Sequence, residues 1–156
     1  MYYEATPYYE KGEYEKQHEN LTRAIDLLKN SEHHKAKTQL GAVYGGLSGY
    51  YRAIEKYDSA VSASLNSIEI LEELKNYRSL SINCMNLAMI YQQLKLPGKQ
   101  KEYADKGMIY ARLSGEKDII MLSFLQKAHY LTEIRDFPGA RACVDSATPY
   151  FSNKYD

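Results

Sequence analysis

The chain has 156 residues, 44% of them hydrophobic, with twenty basic and twenty acidic side chains and a formal net charge of zero. That length suits one domain able to bury about two-thirds of its unfolded surface, and the balanced charge supplies no global field for nucleic acid or an anionic membrane. The sequence holds no run of about five or more basic residues, no apolar span of about 18 residues and no basic-then-apolar leader, so a soluble domain is expected, with no nucleic-acid contact and no membrane insertion.

In chain order the sequence divides into four units, 1–33, 34–75, 76–115 and 116–156, each expected to hold two helices. The first carries Tyr8, Gly12, Tyr14, Leu21 and Ala24, and Thr6-Pro7 interrupts or starts its short first helix. It is out of step with the rest. Ala24 and Ser67 stand slightly more than one period apart, and the excess belongs near Asn30–Lys35, where the apolar pattern breaks. His33 and His34 fall in that connection as a solvated helix entry.

From the second unit on, the pattern recurs at a period of forty without slippage. Leu47–Ser48–Tyr51, Leu87–Ala88–Tyr91 and Lys127–Ala128–Leu131 align, as do Tyr57, Pro97 and Phe137, and Ala60, Gln100 and Ala140. A fixed period of this size marks a stacked repeat in which no unit buries its apolar face alone. Small residues recur at Ser48, Ala88 and Ala128 in the first helices and at Ser67, Gly107 and Ala147 in the second. They let facing helices approach closely, so Ala88 and Ala147 should be almost fully buried. Apolar residues at Leu80, Cys84, Leu87, Ala88 and Tyr91 keep the three-and-four spacing of a helix face.

The predicted helices are 34–54, 58–74, 78–94, 98–113, 117–134 and 138–152. Pro97 and Pro138 stand in opening turns, Asp136 is placed as an N-cap, and Gly115 and Asn76 stand where second helices end in a left-handed cap. Pro149 should kink or end the last helix. A rival, shorter register would put a turn at Gly45–Gly49 but leaves 61–80 unassigned. Gly41, Gly45 and Gly49 form a bare stripe along one helix, for which close packing against the first unit is the expected cause, since each helical glycine costs about 1 kcal/mol relative to alanine. Cys84 and Cys143 have no metal-ligand spacing and are expected to be buried small apolar residues. The sixteen tyrosines, with no tryptophan, read mainly as packing residues with a wet hydroxyl end.

These motifs resemble the tetratricopeptide repeat. YYEKGEY at 8–14, NLAMIY at 86–91 and RDFPGA at 135–140 carry the likeness, which spans nearly the whole chain. The family's usual period is about 34 residues, the spacing of the rival register, so a period of forty implies lengthened helices. The resemblance implies an all-α, right-handed superhelical solenoid of antiparallel helix pairs, part of a larger protein. Long repeats of this kind look like those of bacterial regulators, including sensor kinases and peptide-responsive regulators. A cytoplasmic or periplasmic setting follows from that analogy, with no compartment assigned.

In such a solenoid the first helices line a concave groove. The groove positions are Gly45, Gly46, Gly49 and Arg52 in the second unit, Met85, Asn86, Met89 and Gln93 in the third, and Leu125, Gln126, His129 and Glu133 in the fourth. Asn86 matches the family asparagine that hydrogen-bonds a bound peptide's backbone; a solvated or capping asparagine is the plain alternative. Met85, Met89 and Leu125 either floor the groove or belong to the helix–helix core. The basic residues that clamp a terminal carboxylate in the family are mostly replaced by Gly, Met and Leu, which puts that specificity in doubt. His129 and Glu133 stand one turn apart but lack a nucleophile or metal set. The expected function is therefore a non-enzymatic protein or peptide scaffold with no cofactor and no metal. Self-association through open solenoid ends, with the final unit from Phe137 to Tyr155 as the contact, is the alternative reading.

Overall fold

The computed structural model describes residues 11–151. They form seven α-helices: α1 (Lys11–Leu28), α2 (His34–Ala53), α3 (Tyr57–Glu73), α4 (Tyr77–Gln93), α5 (Pro97–Ser114), α6 (Lys117–Glu133) and α7 (Phe137–Ala147), followed by a 3-10 turn at Thr148–Tyr150. Among these residues there is no strand. The six predicted helices are present within a few residues of their expected bounds. α2 runs unbroken through Gly45–Gly49, which removes the rival register. The last helix stops at Ala147 rather than 152, because Pro149 has no N–H to continue it. In the first unit, Tyr8 and Thr6-Pro7 lie outside the described residues, and α1 is the partner of α2.

The backbone repeats twice as often as the side chains. Helices α3 to α7 begin at Tyr57, Tyr77, Pro97, Lys117 and Phe137, evenly spaced at half the sequence period. Left-handed residues keep the same step at Glu55, Lys75, Lys95, Gly115 and Arg135. At four of these five corners the chain closes paired bonds of the Schellman type; after α4, for example, Leu96 N–H donates to Tyr91 O at 2.9 Å and Lys95 N–H to Gln92 O at 2.9 Å. Asn76 is not the left-handed residue it was expected to be. Lys75 takes that conformation (φ 51°), and Asn76 instead caps α4, its side chain accepting from Ser79 N–H at 3.2 Å. Asp136 caps α7 through Gly139 N–H at 3.0 Å, and Gly115 ends α5 at φ 70°.

Consecutive helices pack side by side, and of helices two apart only α2 with α4 and α4 with α6 also touch. The first helices therefore converge on an inner face while the second helices spread outside, the geometry of an α-solenoid. The core centres on α4, where Leu80, Cys84, Leu87, Ala88 and Ile90 are all at most 2% exposed. Ala88 and Ala147, at 2% and 0%, fill the small-residue sites as expected, whereas Cys143 is only half-buried.

The glycine stripe has a different cause from the one expected. A side chain at Gly41 would meet Leu71 of α3 at 3.0 Å, one at Gly45 would meet Asn83 of α4 at 2.9 Å, and Gly49 faces open space. Among the described residues, the contact of these glycines with the first unit is that of Gly46, beside the stripe, with Leu21 at 3.3 Å. The bare surface serves the approach of α3 and α4. Ser67 of α3 donates to Gly41 O at 2.6 Å, and one period on, Ser81 of α4 donates to Gly107 O at 2.8 Å.

Candidate functional site

The inner face opens between α4 and α6 into a cavity of about 500 Å³, floored by α5. α4 supplies Ile82, Met85, Asn86, Met89 and Gln92, and α6 supplies Leu122, Leu125, Gln126 and His129, with Gln100 and Ala104 of α5 beneath. The spacing explains the lining. Positions 82, 85, 86 and 89 share one face of a helix with about 3.6 residues per turn, and the sequence period puts 122, 125, 126 and 129 on the matching face of α6.

Six of the twelve positions expected to line the groove, Asn86, Met85, Met89, Leu125, Gln126 and His129, come together here, whereas Gly45, Gly46, Gly49 and Glu133 lie outside the lining. Gln93 and Arg52 do not join the lining. Gln92 turns inward in place of Gln93, and Arg52 stands exposed in the last turn of α2. Met85 serves both readings offered for it, being 7% exposed and lining the cavity, whereas Met89 is 37% exposed. Gln100 and Ala104 escaped a reading that looked only at first helices. Ile82 and Leu122 were signalled by the period itself, one turn ahead of the residues chosen.

The polar groups divide into spent and free. Gln126 Nε2 donates to the Met85 carbonyl at 2.7 Å and so ties α6 to α4. Glu133 accepts from Gln100 Nε2 at 2.9 Å and also from Gln92, which fixes the far wall. With both amides on its carboxylate, Glu133 is a structural acceptor. Among the described residues no buried side-chain N or O atom lacks a partner, so the wall satisfies itself. Asn86 and His129 are exposed at the rim, and the hydrogen bonds of the wall run through Gln92, Gln100, Gln126 and Glu133 instead. No lysine or arginine lines the cavity. It is an apolar trough with an amide and an imidazole at its edge, suited to uncharged groups.

Among the described residues no group of three or more His, Cys, Asp or Glu side chains is placed to hold a metal ion, and no helix is long and apolar enough to cross a membrane. Cys84 lies in the core away from the trough, where burial pushes its thiol up to about 12.

No family model matches the chain, and no curated protein matches it. Among solved structures it is similar to BtubC (BKLC) from P. vanneervenii, known from a crystal structure, with a TM-score of 0.77 and 17% identity over 93% of this chain. The match spans 60% of the length of BtubC. At that identity the likeness establishes the shared helical fold and nothing of activity or partners.

Proposed function

We propose that this chain is a tetratricopeptide-type scaffold that binds a peptide segment of another protein in the trough between α4 and α6. The observation that carries the reading is the trough itself: Met85, Met89, Leu122 and Leu125 form its apolar walls, while Asn86 and His129 stand at the rim. An asparagine amide both donates and accepts, which matches one peptide unit of an extended backbone. Flexible methionines adapt to the side chains that such a segment inserts. With no cation in the lining, recognition favours internal apolar residues over a terminal carboxylate.

Selection of a random peptide library on the full chain, followed by calorimetry, tests this. Selected peptides should share spaced apolar residues. Met89→Asp should abolish their binding, and Asn86→Ala should weaken it by about 0.5–1.5 kcal/mol, the net worth of a neutral hydrogen bond. Peptides that bind both variants as well as the parent would place recognition elsewhere.

A further inference from the structure

We infer that Met89 is a modification site, an oxidation switch whose sulfoxide closes the trough to apolar occupants. The inference rests on the trough being a binding site. Four methionines lie among the described residues, and they differ in what protects the thioether. Met85 and Met108 are 7% and 6% exposed, and the sulfur of Met108 also accepts from Ser123 Oγ at 3.2 Å. Met121 is half-buried on α6 beside Pro149 and Phe151. Met89 is 37% exposed and stands in the wall of the trough, one turn from Met85. An oxidant in solution therefore meets the trough at the sulfur of Met89, while that of Met85 is reached only when the helices open.

The oxidant is a hydroperoxide. The Met89 sulfur attacks the terminal peroxide oxygen, an S–O bond forms and the O–O bond breaks. The proton of the attacked hydroxyl passes to the leaving oxygen, which departs as water or an alcohol. Sulfur gives up two electrons, and the peroxide takes them. The product sets a polar group with a strong acceptor oxygen in place of a flexible apolar one. Around it the side chains of Ile82, Met85, Leu122 and Leu125 offer no donor. Asn86 and His129 share the rim, and neither takes part in the hydrogen bonds of the wall. Both can donate to the sulfoxide oxygen, so the new group is satisfied at the rim without opening α4. An occupant then meets a polar wall and finds the rim donors taken.

The full chain is treated with dilute hydrogen peroxide and sampled for mass-spectrometric peptide mapping and for titration with Nile red, a neutral apolar dye. Met89 sulfoxide should form at least about tenfold faster than the sulfoxides of Met85 and Met108. Nile red should bind saturably before treatment and at least about tenfold more weakly once Met89 is oxidised. Met89→Leu keeps the side-chain volume but has no sulfur to oxidise. Whatever the starting affinity of that variant, it should be the same before and after peroxide. Met121→Leu should lose affinity on treatment as the parent does. Incubation with the methionine sulfoxide reductases for both epimers and a dithiol should restore the parent. Oxidation of Met89 no faster than that of Met85, absence of saturable dye binding, or dye affinity indifferent to Met89 oxidation would each overturn the inference. So would an equal loss in Met89→Leu. A loss that follows Met89, with library-selected peptides indifferent to Met89→Asp, would support the switch and overturn the peptide reading alone.

Discussion

Serine and glycine exchange places across the seam between paired helices. Gly41 accepts from Ser67, whereas at the equivalent positions Ser81 donates to Gly107. Each pair supplies one hydroxyl and one bare backbone, enough to bond two helices at close range. A third residue follows the exchange: Leu71 crowds the site of a Gly41 side chain at 3.0 Å, and its equivalent beside the Ser81 pair is Ala111. Gly41→Ser should therefore destabilise by about 1–3 kcal/mol through overpacking. Combined with Leu71→Ala it should show a favourable coupling of about 1 kcal/mol in a denaturant-melt cycle; additive effects would mean that the two sites do not share space. The cysteines provide a second residue-scale check. Cys84 is 0% exposed with its thiol pushed up to about 12 by burial, while Cys143 is half-buried with a smaller rise of the same origin. A disulfide reagent at pH 8 should label Cys143 first and reach Cys84 only as the fold opens. Equal labelling rates in the native state would contradict the packing of α4.

From α3 to α6 each helix with its corner occupies half a sequence period, and the corners after α2 to α6 turn through a left-handed residue. Gly115 is the only glycine among the five, so Gly115→Ala should cost about 1 kcal/mol, the penalty of a Cβ in that conformation. Thermal melts of the variant would show this, and an unchanged melting temperature would mean that the corner relaxes without strain. The element scale is also where the sequence was most legible. Pro97, Asp136 and Gly115 punctuate the chain with residues whose backbone chemistry allows little else, and the small-residue sites set the pairing of helices. The half-period step stayed hidden because Glu55, Lys75, Lys95 and Arg135 have no preference for left-handed backbone. They adopt it because paired backbone hydrogen bonds close each corner within six residues of chain, a local backbone cause that residue type does not reveal. The same holds at the trough. Its walls from α4 and α6 followed from the period, but the choice of Gln92 over Gln93 and the floor from α5 depend on how far each helix is rotated. Gln126 was legible as a groove residue, though not as one whose amide is already engaged by Met85.

Contacts between helices reach no further than the next helix but one, so the molecule is held together by neighbours. Stability should accordingly vary along the chain. α4 has nine buried residues and packs on α2, α3, α5 and α6, whereas α7 has two and, among the described residues, touches α6 and the closing 3-10 turn. Amide hydrogen exchange should be slowest in α4 and fastest in α1 and α7, and uniform protection would indicate a single all-or-none unit instead. Function on this account belongs to the surfaces that stacking creates, the inner trough first among them. Of the five methionines, Met85 and Met89 line that trough, Met108 is buried on α5, and Met121 lies on α6 beside Pro149 and Phe151. Carbon-13 labelling of the methionine methyl groups therefore reads binding position directly. On titration with a peptide selected by the full chain, the account predicts that the Met85 and Met89 methyl resonances move together and saturate while that of Met121 stays in place. Movement of Met121 without Met85 and Met89 would contradict it, because the peptide would then sit outside the trough.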